Sequence, residues 1–419
     1  MKVAQQRFWL IAMWSAAIAA GFVLWGGDST EQALPTLDAD DRPVRTVEDR
    51  AEQTSRLGLV GELEEVGVPR GFRGGQRHEG VSRFTGPDGA SLEWAFEAGG
   101  RIAAQVVVDS QGRIIVGALD GWLYVISSAG ELDWKKNLDG PIYATAWVDD
   151  EDNIYVGSDS DSYWSFDPIG NVRWRLQTSG DADTGTVEAP DGTLHFAAGA
   201  ELWAVEKNGQ VKWRFRAGEK IFSTPAVDVD GTVYVGSQDD HGYAIAANGR
   251  LRWAYRMRGD SDASPAISAQ GHVYMGSDDG NVYALDRDGE LVWSRDLEGY
   301  VRAPLAVSRG GMVLASTFGP RPRLVALHPE TGEVQWYFPV TVADSAELGI
   351  SSGAVSDRLG NIYFGAHDDN LYALTGDGEL RFAFAARGDV SATPALTGEG
   401  ELIVGSGDRR VYKLSRREP

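Results

Sequence analysis

The sequence of 419 residues contains no cysteine. This absence excludes disulfide bonds, thiolate metal ligands, cysteine nucleophiles and a lipid attached to an N-terminal cysteine. Basic residues are scarce relative to acids, since 39 Lys and Arg stand against 61 Asp and Glu and give a formal net charge of −22. Nucleic-acid binding needs clustered cationic side chains, so this composition argues against a nucleic-acid partner.

Motifs that carry chemistry are also missing. The chain contains no G-x-S-x-G nucleophile motif and no glycine-rich phosphate-binding loop. Its six histidines are scattered and show no paired spacing typical of metal ligands; they are His78, His195, His241, His272, His328 and His367. We therefore expect no catalytic residue and no metal site.

One uncharged apolar run, residues 8–25, lies near the N-terminus, with Lys2 and Arg7 before it and acidic residues after it. A helix needs about 20 apolar residues to cross a bilayer, and Trp9 and Trp25 stand near the interfaces where Trp is favoured. We predict that residues 1–27 form a single-pass membrane anchor with a cytoplasmic N-terminus, which places the rest on the periplasmic or extracellular side. The alternative is a signal peptide cleaved near Ala17–Ala20, which would make the protein secreted.

The next region, residues 28–70, differs in composition from residues 71–419. Residues 28–68 hold eleven acids against four arginines, with few apolar side chains. Such a composition is typical of a solvated linker. Within it, residues 46–66 place apolar side chains at loosely helical spacing, which predicts a short amphipathic helix.

A repeat of about 40 residues dominates the remainder of the chain. One aromatic position recurs at intervals of 40, 40, 39, 40, 40, 43 and 46 residues. The members of this series are Trp94, Trp134, Trp174, Trp213, Trp253, Trp293, Trp336 and Phe382. Each unit, such as residues 261–293, contains four short runs rich in Val, Ile and Tyr, separated by turns with Asp, Asn or Gly. Four antiparallel strands per unit are typical of a propeller blade.

Counting the units predicts an all-β fold, an eight-bladed β-propeller over residues 71–419. The eighth unit provides only three strands before the sequence stops, and residues 91–96 supply a fourth. We expect this N-terminal strand to close the last blade and to cover edges that would otherwise be exposed. A seven-bladed ring is the alternative if one of the longer sixth and seventh units is not a true blade.

The unit ending Ala326–Trp336, with the sequence ALHPETGEVQW, resembles the tryptophan-docking repeat A-x-D-x-x-T-G-x-x-x-W of quinoprotein-like propellers, the pyrroloquinoline quinone (PQQ) repeat family. The segment Phe72-Arg73-Gly74, His78-Glu79-Gly80 and Gly86-Pro87 resembles the lead-in of bacterial members. The resemblance spans residues 71–414. It implies that the aromatic series docks each blade against its neighbour. The family includes PQQ dehydrogenases and non-enzymatic scaffolds such as the lipoprotein of the outer-membrane β-barrel assembly machinery.

The resemblance implies two different activities. Enzymatic members hold PQQ over one ring face with calcium, Glu and Asn ligands, a catalytic Asp and often a vicinal disulfide. That disulfide cannot form here, the calcium ligands match no motif of this chain, and the repeats lack long insertions. We therefore expect a non-enzymatic protein without a cofactor. The alternative is a PQQ- and calcium-dependent oxidoreductase, or a binder of a small ligand at the channel mouth.

The loops that lead into the inner strands vary from blade to blade while the framework repeats, and they share a ring face with Asp-rich turns. The predicted binding face consists of Arg101, Tyr143, Asp183, Phe222, Asp262, Arg302, Val390, Asp239, Asp278 and Asp368. Residues 318–323 and 341–352 interrupt the period and are expected at the working edge of this face. Its acidity favours a basic protein surface or cations. The third-strand aromatics, such as Tyr243, are expected only to fill the core.

Together these features predict an exported, membrane-tethered propeller that serves as a protein-interaction scaffold in the bacterial cell envelope. Its partners would be envelope proteins, with outer-membrane protein assembly as the specific form of the hypothesis that the resemblance implies.

Overall fold

The computed structural model describes residues 70–72, 75–340 and 349–416. The predicted anchor (1–27) and helix (46–66) lie outside these residues, as does almost all of the predicted linker. Within the described residues no helix is long and apolar enough to cross a membrane. All the described residues belong to one compact unit, Leu59–Pro419.

The residues that the structure describes form 32 strands in eight antiparallel four-stranded sheets. The first strand, β1, spans Ser91–Glu97. Blade 1 contains β2 (Val107–Val108), β3 (Ile114–Gly117), β4 (Trp122–Ile126) and β5 (Leu132–Asn137), and blade 2 contains β6 (Trp147–Val148), β7 (Ile154–Ser158), β8 (Ser162–Phe166) and β9 (Val172–Gln177). Blade 3 contains β10 (Val187–Glu188), β11 (Leu194–Ala198), β12 (Glu201–Val205) and β13 (Val211–Arg216). Blade 4 contains β14 (Ala226–Val227), β15 (Val233–Ser237), β16 (His241–Ile245) and β17 (Leu251–Arg256).

The second half of the ring repeats this arrangement. Blade 5 contains β18 (Ala266–Ile267), β19 (Val273–Gly276), β20 (Asn281–Leu285) and β21 (Leu291–Asp296), and blade 6 contains β22 (Ala306–Val307), β23 (Val313–Ser316), β24 (Arg323–Leu327) and β25 (Val334–Pro339). Blade 7 contains β26 (Val355–Ser356), β27 (Ile362–Gly365), β28 (Asn370–Leu374) and β29 (Leu380–Ala385). Blade 8 contains β30 (Ala395–Leu396), β31 (Leu402–Gly405) and β32 (Arg410–Ser415). The prediction of eight four-stranded blades is confirmed.

Blade 8 draws strands from both ends of the described chain. Its order is β1-β32-β31-β30, and β1 pairs antiparallel with β32 from Ser91 opposite Ser415 to Glu97 opposite Arg410. Nearby, Lys413 Nζ lies 2.7 Å from Glu401 and 3.2 Å from Glu93 on β1. The outermost strand of the blade therefore comes from a part of the sequence that precedes blade 1.

The core is divided into layers between the blades. Eight hydrophobic clusters each combine side chains of two neighbouring blades, including one between blades 8 and 1 that joins Val411 to Ile114. The second and third strands are buried almost throughout, as in β3 and β4, whereas the outer strands alternate between exposed and half-buried residues. The Val-, Ile- and Tyr-rich runs form strands because both of their faces are covered by a neighbouring blade.

Each tryptophan of the repeated series docks on the third-to-fourth-strand turn of the next blade. Trp253 Nε1 donates a 3.0 Å hydrogen bond to the Arg287 carbonyl, and its ring covers Gly289, where a Cβ would lie only 2.7 Å from the indole. Gly289 also has a φ of +84°, which favours glycine. The other six bonds join Trp94 to Ser128, Trp134 to Pro168, Trp174 to Lys207, Trp213 to Ala247, Trp293 to Pro329 and Trp336 to Gly376.

Phe382 occupies the last position of this series, on the outer strand of blade 7. The next blade is blade 8, whose third and fourth strands, β32 and β1, come from distant parts of the chain and are not joined by a hairpin turn. No hairpin turn of the described residues therefore faces Phe382, and an apolar ring without a donor fits this interface. Phe382 packs in the cluster between blades 7 and 8.

Candidate binding face

The ring has two distinct faces, named here by their loops. The upper face carries the loops that lead into the inner strands and the turns between second and third strands; the lower face carries the other two sets of turns. On the upper face, a backbone N–H of each turn donates to a carbonyl of the loop in the same blade, as Asp278 does to Asp260 at 2.8 Å. The same bond joins Leu119 to Arg101, Asp159 to Pro141, Gly199 to Asp181, Gln238 to Lys220, Phe318 to Tyr300, His367 to Gly349 and Gly407 to Asp389. The predicted loops and turns therefore form one surface.

Five of the upper turns contain an aspartate that accepts a hydrogen bond from a tyrosine four residues later. The Tyr243 hydroxyl donates to Asp239 Oδ2 at 2.6 Å, and Tyr372 donates to Asp368 Oδ2 at the same distance. Tyr124 with Asp120, Tyr283 with Asp279 and Tyr412 with Asp408 make the same pair. Burial, assisted by the Asp120 carboxylate, raises the pKa of Tyr124 to about 12. Two predicted binding residues, Asp239 and Asp368, are thus engaged inside their own blades.

Asp278 and Arg302 form an ion pair across the boundary between blades 5 and 6. Arg302 Nε lies 2.8 Å from Asp278 Oδ1, and its Nη2 lies 2.6 Å from Oδ2, so both ends of the carboxylate are bound. The guanidinium also stacks over Tyr300, with its carbon 4.8 Å from the ring centre. Both predicted residues are at the mouth of the channel, and each largely neutralises the other.

A second carboxylate group lies at the mouth between blades 2 and 3. Burial and the neighbouring Asp183 carboxylate raise the pKa of Asp159 far above its ordinary value. Burial, followed by Asp183, also raises the pKa of Asp181. Buried Oδ1 atoms of Asp159 and Asp183 have no hydrogen-bond partner among the described residues. The repulsion among these carboxyls, which Lys220 partly offsets, destabilises the fold, as is common where a site is built for binding rather than for stability.

Asp262, on the loop that leads into blade 5, is a further buried carboxyl of the upper face and has its own charged neighbours, Asp278 and Asp260. We call Asp159, Asp183 and Asp262 together the arc. Asp262 Oδ2 accepts a 3.3 Å hydrogen bond from Gln238, while its buried Oδ1 has no partner in the described part of the chain. Burial, followed by repulsion from Asp278, raises the pKa of Asp262 to about 7. A cationic group brought to this part of the mouth would therefore stabilise the ionised form of these carboxyls.

The opposite side of the mouth has different chemistry. Ser351 Oγ lies 2.7 Å and Ser391 Oγ 3.3 Å from Nε2 of His367. Phe318 packs edge-on against His367, with ring centres 5.7 Å apart, and pairs through its backbone with Tyr300 and Gly349. The described parts of the two period-breaking segments, 318–323 and 349–352, thus meet at the mouth near blades 6 and 7; residues 341–348 are outside the described ranges.

The remaining predicted residues have different positions. Tyr143 is exposed, Phe222 is half-buried beside Lys220, and Arg101 is exposed 3.7 Å from Asp389. The prediction for Val390 is wrong, because this side chain is fully buried under Gly365 and cannot contribute to a surface. Ser391, one residue later, occupies the mouth instead.

The described residues offer little for a calcium-assisted quinone site. Among them, no three His, Asp or Glu side chains are grouped so that they could share a metal ion. Calcium takes six to eight oxygen ligands. The oxidoreductase alternative thus has no group of three carboxylate or imidazole ligands among the described residues to draw on.

A cleft of about 640 Å³ lies on the lower face between blades 2 and 3. Its cationic side chains are already paired, with Lys212 Nζ 2.9 Å from Asp191 and Lys207 Nζ 2.6 Å from Glu188. Arg173 donates to the Tyr155 hydroxyl at 2.7 Å. Both lysines of this cleft are thus already neutralised, so we place the candidate site on the upper face.

Comparison with known proteins gives one family and a common fold. The family described as outer membrane protein assembly factor BamB matches residues 77–190, 170–268, 246–373 and 320–418, which together extend over nearly all the described ring. No curated protein matches the sequence.

Several solved structures have the same fold. BamB from Moraxella catarrhalis is 18% identical, with a TM-score of 0.64 over 78% of this chain and 99% of that one. Quinohemoprotein alcohol dehydrogenase from Comamonas testosteroni is 13% identical, with a TM-score of 0.71 over 88% of this chain and 85% of that one. A europium-containing methanol dehydrogenase is 10% identical, with a TM-score of 0.70 over 87% and 100%. At these identities the likeness concerns the fold alone.

Proposed function

Because the chain belongs to the family of outer membrane protein assembly factor BamB, we propose that it is a non-enzymatic scaffold that binds proteins of the bacterial cell envelope during outer-membrane protein assembly. We further propose that residues 1–27 tether it to the membrane, with the ring on the exported side. The PQQ-repeat propeller of this family hosts both scaffolds and dehydrogenases, so the proposal depends on the chemistry of the upper face.

The observation that carries the proposal is the arc of Asp159, Asp183 and Asp262 at the channel mouth. Each of these carboxyls has a buried oxygen without a partner among the described residues. Burial and the neighbouring Asp183 raise the pKa of Asp159, whereas burial and repulsion from Asp278 raise the pKa of Asp262. A partner that places Lys or Arg side chains over this arc would relieve the repulsion. The exposed Tyr143 and half-buried Phe222 provide aromatic contact area beside it.

Site-specific photo-crosslinking in the native host tests which face binds. A photoreactive amino acid at Tyr143 or Phe222 is expected to crosslink to an envelope protein, and the crosslink should weaken in the triple variant Asp159→Asn, Asp183→Asn, Asp262→Asn. The matched control is the same amino acid at Ile169, which is 74% exposed on a lower-face turn. Equal crosslinking from Ile169, or no effect of the triple variant, would contradict the assignment of the upper face.

Membrane tethering has its own test. We expect the protein to sediment with membranes, to require detergent for release, and to retain its N-terminal residues in the intact mass. A mature mass that lacks residues 1–20 would instead establish cleavage and a secreted protein.

The quinone-dependent alternative is tested by calorimetry with PQQ and calcium. We expect no binding heat at millimolar calcium, and a saturable heat would favour an oxidoreductase or a small-ligand binder.

A further inference from the structure

The segment that precedes β1 crosses the lower mouth of the central channel. The part that lies in this mouth comprises residues 70–72 and 75–82, and we call these residues the lead-in segment. We propose that the lead-in segment is a built-in plug: it seals the channel on the lower face and leaves a pit that opens only on the upper face. The proposal does not depend on the function proposed above.

The first support is a set of backbone hydrogen bonds to the inner strands. In each inner strand the N–H of the second residue points away from its neighbour strand and into the channel, because antiparallel pairing uses alternate groups. Five of these N–H groups donate to carbonyls of the lead-in segment. They are Val148 to Arg70 (2.7 Å), Val227 to Gln76 (2.7 Å), Ile267 to Arg77 (3.0 Å), Val307 to Glu79 (3.2 Å) and Ser356 to Gly80 (2.7 Å). One short segment thus bonds to blades 2, 4, 5, 6 and 7.

Side chains of the lead-in segment are buried in the ring as well. Arg77 is 7% exposed, and its Nε and Nη2 lie 3.1 and 2.6 Å from Asp228 Oδ1 at the start of a lower turn. His78 is fully buried, with Nδ1 3.0 Å from the Pro265 carbonyl and its ring 4.9 Å from that of Phe72. These contacts hold the segment in one register.

Blade 1 is connected to the plug through Gln105. The side-chain Nε2 of Gln105, only 4% exposed, lies 3.5 Å from the Gly71 carbonyl. Gly71 itself packs directly against the Trp147 ring of blade 2, so that no Cβ would fit there. The lower end of the channel is therefore occupied by protein on several sides.

The lead-in segment has two effects on the ring. A buried N–H without a partner is costly, so the segment satisfies five donors that the blades alone would leave pointing into the channel. A molecule that enters the channel must come from the upper face, because backbone and buried side chains occupy the lower mouth.

Hydrogen exchange on the unaltered full-length protein tests the plug directly. With single-residue resolution, the amides of Val148, Val227, Ile267, Val307 and Ser356 are expected to exchange at least about tenfold more slowly than that of Leu396. Leu396 holds the same inner-strand position in blade 8, and no described residue of the lead-in segment accepts from its N–H. Exchange of the five amides at the rate of Leu396 would overturn the proposal.

A labelling experiment uses the absence of cysteine in the chain. Gln105→Cys is expected to react slowly with a maleimide in the otherwise unaltered protein and at least about tenfold faster when residues 70–82 are replaced by a Gly-Ser sequence of equal length. The control replaces residues 28–40 in the same way and should leave the labelling rate unchanged. Fast labelling with the lead-in segment intact would overturn the proposal. If the replacement variant does not fold, the exchange measurement on the unaltered protein decides.

Discussion

The hydroxyl of Tyr243 on β16 donates to Asp239 Oδ2 in the turn that precedes the same strand, at 2.6 Å. Asp239 Oδ2 also accepts from the Gly218 N–H at 2.6 Å, and Asp239 Oδ1 accepts from the His241 N–H. One carboxylate therefore fixes the turn, the third strand and the loop leading into the blade. The bond between tyrosine and aspartate recurs in five blades, and a loop N–H also donates to the aspartate in blades 5 and 8, from Arg258 and Arg387.

Removing this hydroxyl should destabilise the ring without unfolding it. We expect Tyr243→Phe to lower the free energy of unfolding by roughly 1–3 kcal/mol, because a hydrogen bond to a charged acceptor is lost. The matched control is Tyr337→Phe, since Tyr337 is 57% exposed on an outer strand. Chemical denaturation of both variants checks this, and equal midpoints would contradict the structural role.

The tryptophan docking bonds allow a test of ring closure. Trp94 on β1 docks on blade 1, whereas Trp253 docks between two internal blades. If pairing of β1 with β32 keeps the ring closed in solution, Trp94→Phe and Trp253→Phe should each cost about 1–3 kcal/mol of unfolding free energy. A much smaller loss for Trp94→Phe would indicate that β1 leaves the ring in solution.

Replacing Phe382 with tryptophan should not stabilise the ring. Among the described residues no hairpin turn joins the third and fourth strands of blade 8, so Phe382→Trp would bury an indole N–H without the acceptor that the other tryptophans have and would overfill the cluster. We expect a lower melting temperature for this variant. A rise in melting temperature would show that an acceptor is present there.

The carboxyl of Asp159 should make stability fall as the pH rises. Its pKa is raised in the folded protein, so above the unfolded value of 3.8 the folded state holds a proton that the unfolded state has released. Asp159→Asn removes this penalty, and we expect its melting temperature to exceed that of the unaltered protein by at least about 2 °C at pH 8. The difference should shrink towards pH 4.

The control for this experiment is Asp150→Asn, at a side chain that is 97% exposed. It should not alter the slope of melting temperature against pH. An Asp159→Asn variant that melts lower than the unaltered protein at pH 8 would show that the charged carboxylate stabilises the ring.

His195 should make stability fall as the pH drops. Burial lowers the pKa of this fully buried side chain from 6.5 to about 4. Between pH 6.5 and 4 the unfolded state therefore binds a proton that the folded state does not bind. The loss over this window is about 3 kcal/mol, since one pKa unit corresponds to about 1.4 kcal/mol. His195→Gln should flatten the profile of unfolding free energy between pH 6.5 and 4. His328→Gln, at a half-buried turn position, should retain it.

The fold could be predicted from the sequence because its signal is periodic. The aromatic series and the Asp/Gly turns recur every 40 residues or so, and each unit predicts the same four strands. The buried pairs of tyrosine and aspartate have a sequence signal too, since an aspartate stands four residues before the tyrosine in five blades. Where Trp164 or Trp203 replaces the tyrosine, Ser160 or Gly199 stands there instead.

Which residue of each loop lies at the channel mouth was harder to predict from the sequence. The mouth residues Phe222, Asp262 and Ser391 each precede a proline by three positions, which are Pro225, Pro265 and Pro394. Alignment on that proline places Ser391, rather than the buried Val390, at the mouth.

Other features depend on contacts between different units and cannot be read from one repeat. The pairing of Asp278 with Arg302, and the proximity of Asp159 to Asp183, are set by the distance between neighbouring blades. The lead-in segment has no periodic pattern, so nothing in its sequence indicates that it crosses the channel.

The pairing of β1 with β32 also determines when the molecule can be completed during synthesis. Glu97 on β1 contacts Arg410 on β32, 313 residues later in the chain. The first of the described strands to be synthesised therefore pairs with the last of them. Until β32 has been synthesised, β1 lacks the strand with which it pairs, and contacts so distant in sequence are expected to slow folding.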